Sequence, residues 1–319
     1  MGNNLPAKKY NCRPYQRSVT VKYLMGDAGF FDIGGKTYVD LALIYSQANR
    51  VGLRQGLNYH IDSVIVQTKG NSNDTFNIQF ATIPHNYISL QAWRYGFDKW
   101  MKQQSLSDTP SGQWADFKIW MNTDHQQDIF ANSTGYSAST LGTVAQPVNS
   151  EGTLSNRAGE WIKSTYLDME TGNEPAIQML GTSNTSMISL IDELSHVKRT
   201  WSDETPQIPT EANTTFLENF LDSGASDVVE DIGDNLDAHN DIPPYGRETY
   251  TGEFSNAPEI VSACSTYAGG VTIAGGFEAI CGLVEVQTDV ADGFGATAVY
   301  LTFNFTEGTY HGIHAERLI

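Results

Sequence analysis

The sequence predicts a mainly β fold, an antiparallel sandwich with inserted helices, and three observations carry that expectation. Apolar and polar residues alternate near both ends of the chain, most clearly over residues 297–305 (TAVYLTFNF), and a period of two marks a strand with one buried face. A helical period of three to four is confined to interior segments. Strands and helices nowhere alternate regularly, as a parallel sheet with crossover helices would require.

In the first strand Val19, Val21 and Tyr23 point one way, and Thr20 and Lys22 the other. Residues 37–44 read as a second strand with Val39, Leu41 and Leu43 on one face. Residues 58–67 and 76–81 flank Gly70-Asn71-Ser72-Asn73-Asp74, a cluster of turn formers, and therefore read as a hairpin. After Pro84 the period changes: Leu90, Trp93, Phe97, Trp100 and Met101 predict an amphipathic helix over residues 87–104, with Asn86 as its cap. Its aromatic stripe is expected to seal a core.

Strand-like segments resume at residues 114–121, 160–168 and 176–180, around a Ser/Thr/Gly/Asn-rich stretch at 132–156 that reads as surface loops. A second helix places Met187, Leu190, Ile191, Leu194 and Trp201 on one face, with Ser186 as cap, and a short third helix holds Phe216, Leu217, Phe220 and Leu221. Residues 223–253 are acidic and broken by Pro243-Pro244, which predicts a long surface excursion. Strands close the chain at 260–267, 280–287 and 297–305, the last two expected to pair across residues 289–295.

This order suits an antiparallel jelly-roll β-sandwich. A faint echo between residues 80–100 and 179–201 raises the alternative of a double jelly roll, but the roughly ten expected strands fall short of the about sixteen that two rolls need. The expected division is a short basic arm over residues 1–22 and one jelly-roll domain over 23–319, with helical and acidic loop insertions at about 184–256.

The chain has 319 residues and a formal net charge of -18, so most of its surface should repel nucleic acid. The charge is unevenly spread. No acid precedes Asp27, whereas Lys8, Lys9, Arg13, Arg17 and Lys22 are basic; residues 203–248 hold twelve acids against Arg247 alone. The basic start is the expected contact for a polyanion such as DNA, and the acidic stretch is expected to face solvent. No segment has the eighteen or so consecutive apolar residues of a membrane span, and the first seventeen residues lack the apolar core of a signal peptide.

Catalytic signatures are missing from the sequence: it has no GxSxG, no phosphate loop ending in Lys-Ser/Thr, no GxGxxG and no HExxH. Cys12, Cys264 and Cys281 form no CxxC pair and are expected as small apolar packing. His311 and His314 with Glu316 hold metal-ligating atoms, yet a spacing of three sends the two imidazoles to opposite faces of an extended segment. Asp231, Asp234, Asp237 and Asp241, with His239 among them, offer hard oxygen ligands suited to Ca²⁺ but do not follow the EF-hand spacing.

Five segments carry a family likeness: residues 38–56 (YVDLALIYSQANRVGLRQG), residues 81–103 with Trp93 and Trp100, residues 114–121 (WADFKIWM), residues 189–199 (SLIDELSHVKR), and residues 276–316, which end GTYHGIHAE. In this order they resemble capsid proteins of small circular single-stranded DNA viruses known mainly from aquatic metagenomes. The resemblance implies a non-enzymatic jelly-roll subunit of an icosahedral shell, assembled from copies of itself and located in the virion. Two features depart from such proteins: the basic arm is short where they commonly carry a long Arg-rich one, and the chain is strongly acidic. The competing expectation is a β-sandwich binding module of a virion spike, phage tail or cell surface, recognising glycans or a receptor through Tyr136, Trp161 and Tyr245.

Overall fold

The computed structural model describes residues 15–25, 36–69, 75–106, 116–125, 146–147, 163–168, 172–198, 256–267, 269–289 and 297–318. In chain order the elements are β1 (Ser18–Met25), β2 (Lys36–Asp40), α1 (Leu41–Asn49), β3 (Leu57–Lys69), β4 (Thr75–Thr82), α2 (Tyr87–Gln104), β5 (Gln146–Pro147), β6 (Ala176–Gln178), β7 (Met187–Ser189) and α3 (Leu190–Lys198). They continue with β8 (Glu259–Tyr267), β9 (Val271–Ile280), β10 (Leu283–Asp289), β11 (Thr297–Phe305), β12 (Glu307–Tyr310) and β13 (Ala315–Arg317).

The body is a mainly β sandwich of two antiparallel sheets. In one, β9 pairs with β3, β3 with β11, β11 with β1 and β1 with the short β5, while β13 also runs beside β3. The other has the order β2, β10, β4, β8. Val19, Val21, Ile61, Val64, Val66, Leu301 and Phe303 of the first sheet meet Val39, Ile78, Phe80, Val284 and Val286 of the second in one buried core. The remaining described strands are two to four residues long, so the described residues hold strands for a single sandwich.

Several expectations about pairing are corrected. The two strands around residues 70–74 do not form a hairpin: β3 lies in the first sheet and β4 in the second, so the chain crosses the core between them. The same holds for β10 and β11, which pair with β2 and β4 and with β1 and β3 respectively. The strand expected over residues 37–44 ends at Asp40, whose side chain accepts the Leu43 N–H at 3.0 Å and caps α1. Leu41 to Tyr45 are all buried, which a half-exposed strand does not allow. β1 begins at Ser18, so residues 18–22 belong to the sheet and not to an arm ahead of it.

The helix over residues 87–104 forms as expected, and Asn86 Oδ1 accepts the Ser89 N–H at 2.9 Å. Together with α3 and residues 116–121 it makes a side layer whose core includes Ile88, Ala92, Trp100, Phe117, Ile119 and Leu194 against Tyr38, Ile280 and Leu283 of the sandwich. Gly96 permits the contact between the helices, since a Cβ there would collide with Leu190. Among the described residues, the segments read as strands within 114–121 and 160–168 contribute only isolated bridges at Trp120 and Thr165. Residues 187–189 form β7, parallel to β6, so α3 starts later than expected, and Ser189 Oγ, not Ser186, accepts the Asp192 N–H at its first turn. The third helix, the loops at 132–156 other than Gln146–Pro147, and all of 223–253 lie outside the described residues. No described helix is long and apolar enough to cross a membrane.

Candidate functional site

Three places collect polar or exposed apolar groups that the core does not explain. The first is a histidine–carboxylate cluster on the outer side of β3. Strand alternation turns Tyr59 and Ile61 into the core and leaves His60 outside. Glu278 of β9 is its direct cross-strand neighbour, and β13 pairs beside residues 57–59 of β3, bringing His314 and Glu316 alongside.

One ring nitrogen of His60, Nδ1, lies 3.5 Å from Glu278 Oε1. The other, Nε2, is buried and has no hydrogen-bond partner among the described residues. His60 and His314 meet edge to face with centroids 4.4 Å apart, and His314 Nε2 sits 3.0 Å from Glu316 Oε1. Ligating atoms of His60, His314 and Glu316 all lie within 4.8 Å of one another.

Glu278 anchors the other side of the cluster: Asn58 Nδ2 donates to its Oε2 at 3.0 Å, and His85 Nδ1 lies 3.0 Å from the same oxygen. The Asn58 hydrogen bond, reinforced by the two imidazoles, holds this carboxyl below the usual range.

A second place is the buried polar latch between sandwich and side layer. Lys163 Nζ lies 2.8 Å from Asp40 Oδ2, and Gln55 Nε2 donates to the same oxygen at 2.9 Å. Gln55 also bonds both backbone groups of Ile119. Burial lowers the Lys163 pKa, opposed by Asp40, and burial pushes the nearby Cys281 thiol up. With Lys163 and Asp40 side chains 7% and 3% exposed, this cluster holds layers together and offers no access to a substrate.

The third is the outer face of the first sheet. Ile273 is opposite Ile65, Ile65 opposite Thr302 and Thr302 opposite Thr20, a row of uncharged side chains across four strands. Ile273 and Val271 are 66% and 62% exposed. No acid occurs in β1, in β11, in residues 63–69 or in residues 271–277.

Of the residues singled out from sequence, Arg17 is described and forms an exposed pair with Glu307 at 2.7 Å. Lys22 falls within β1 opposite Tyr300, its side chain outside the described residues. Lys8, Lys9, Arg13, Asp231, Asp234, Asp237, His239, Asp241, Tyr136, Trp161 and Tyr245 also lie outside them. His311 takes a left-handed backbone (φ 50) and turns to Tyr15 and Tyr310, away from His314, as the spacing of three implies. His314 and Glu316, two residues apart, do share a face. Sequence reasoning missed their partners His60 and Glu278; the signal available was a histidine on the polar phase of an apolar strand, LNYHIDSVIV.

No protein-family model matches the chain, and neither a curated protein nor a solved structure matches it.

Proposed function

We propose that this chain is a coat protein, a non-enzymatic subunit that self-assembles through a jelly-roll sandwich into an icosahedral shell around a viral genome. The observation that carries the reading is the strand pairing. Among the eight longest described strands (β1 to β4 and β8 to β11), the first pairs with the last, β2 with β10, β3 with β9 and β4 with β8. That nesting supports the jelly-roll reading, since one long hairpin rolled into two Greek keys would pair its strands in this way; capsid subunits use that scheme, and lectin domains and cupins share it.

Charge segregation supports the assignment of sides. In a chain of net charge -18, the acid-free part of the first sheet's outer face, over β1, β11 and residues 63–69 and 271–277, is the surface best suited to approach a polyanion. The basic residues Lys8, Lys9, Arg13, Arg17 and Lys22 sit on or ahead of β1, a strand of that sheet. The genome side is therefore this face with its N-terminal arm, while residues 203–248 decorate the exterior.

Size-exclusion chromatography with light scattering and negative-stain microscopy of the purified chain tests the proposal. Closed shells are expected. A monomer or trimer that binds immobilised glycans would replace it with the binding-module reading.

A further inference from the structure

We propose that His60, His314 and Glu316 form a binding site for a divalent transition metal of the zinc class, which fastens the C-terminal strand β13 to β3. The donor set is two imidazoles and one carboxylate, which suits zinc-class ions and not Ca²⁺ or Mg²⁺, whose sites are built from oxygens. It is distinct from the all-oxygen set expected at Asp231, Asp234, Asp237 and Asp241.

Two observations beyond proximity point to a ligand. His60 Nε2 is buried without a hydrogen-bond partner among the described residues, and such an orphan is costly unless something binds it. The opposite nitrogen, Nδ1, faces Glu278, and a proton held there leaves the Nε2 lone pair free for a metal. A carboxylate behind a ligating histidine is the usual supporting arrangement of metal sites, fixing tautomer and ring orientation. Glu278 is itself held by Asn58 and His85, so the support is built before the metal arrives. The His314–Glu316 contact of 3.0 Å opens as both turn to the ion, and solvent water takes the fourth position.

The three ligands come from β3, from β13 and from the residue that precedes β13. β13 is three residues long, and few hydrogen bonds hold so short a strand. A metal shared with β3 supplies the missing tether.

The test is a Co²⁺ titration of the full-length protein followed by visible absorption, with Zn²⁺ displacement and with Ca²⁺ as control. One Co²⁺ per chain with four-coordinate absorption, displaced by Zn²⁺ and unaffected by Ca²⁺, is expected. His60→Asn and, separately, the double variant His314→Asn/Glu316→Gln should abolish it while far-UV circular dichroism is unchanged. Glu278→Gln should weaken binding by about 10- to 100-fold, the usual effect of losing a supporting carboxylate. Zn²⁺ should raise the thermal midpoint of the native chain and leave that of the double variant where it was. No stoichiometric binding by the native chain, undiminished binding by the folded double variant, or equal competition by Ca²⁺ would each overturn the proposal.

Discussion

Replacing Lys163 by Met should destabilise the chain by about 3–5 kcal/mol, because it strips one partner from a buried ion pair and strands the other charge. The pair is 2.8 Å long with side chains only 7% and 3% exposed, so solvent screening offers no relief. The charge left on Asp40 keeps neutral donors, Gln55 Nε2 at 2.9 Å and the Leu43 N–H at 3.0 Å, which do not replace a cation. Lys163 also lies over the Trp120 ring at 5.1 Å; Met retains the packing and loses the cation–π attraction. Asp40→Asn strands the lysine instead and should cost a similar amount while keeping an oxygen for the α1 cap. Each single variant should lower the thermal midpoint by roughly 6–20 °C, at about 2–4 °C per kcal/mol. Combining them removes both charges, so the double variant should lose about 2–3 kcal/mol less than the two single losses added, a coupling read from a double-mutant cycle followed by urea denaturation. A single variant within about 1 kcal/mol of the native chain, or strictly additive losses, would refute the view that this pair latches the side layer to the sandwich.

Three shorter expectations follow from other parts of the molecule. Trp100, 8% exposed and packed beside Phe97 and Phe117, should cost about 3–5 kcal/mol when cut to Ala, measured by chemical denaturation; an unchanged midpoint would remove it from the core. His125 is buried between Tyr38 and Trp120, and burial, with Lys163 adding to it, drives its pKa well below 6.5. The unfolded chain takes up that proton and the folded chain resists it, so stability should hold above about pH 6.5 and decline as pH falls below it. His125→Gln should flatten that decline. If Asp231, Asp234, Asp237 and Asp241 share Ca²⁺ between subunits, EDTA near neutral pH should loosen assembled shells by light scattering; identical stability leaves them a solvated face.

What the sequence made legible is what local physics decides. The α2 helix announced itself through a period of three to four and a capping Asn86, both set within a few residues. The strands at the two ends were readable because one face of each is buried. Pairing was not legible: turn formers at residues 70–74 say that the chain reverses, but not whether it returns in the same sheet or crosses the core, and in this sandwich it crosses. β7 escaped because its three residues adjoin a helix with the same apolar residues. The cluster of His60, Glu278, His314 and Glu316 is assembled entirely by pairing of β3 with β9 and β13, so half of it was visible as a two-residue spacing and half was not.

β9 escaped for a more specific reason, and that reason can be tested. Its centre is Gly275-Gly276, a pair that weakens any strand assignment, yet here the glycines answer an irregularity in β3. The register of β3 against β11 slips at Asp62, so inward positions run Ile61 and then Val64, the mark of a bulge. β9 takes the same step, from Phe277 to Ala274. A Cβ at Gly276 would fall 2.5 Å from the backbone oxygens of Ile61 and Asp62, which cannot swing aside, while one at Gly275 would meet nothing nearer than Ser262 Oγ at 3.8 Å. Gly276→Ala should therefore force β9 away from β3 at a cost of about 1–3 kcal/mol, and because Glu278 is two residues further along β9, it should also loosen Glu278 from His60. Gly275→Ala should leave both stability and the cluster intact. Equal behaviour of the two variants in thermal denaturation would mean that the glycine pair merely relaxes the strand; a loss confined to Gly276 would tie the bulge that sets the phase of the core to the placement of His60 outside it.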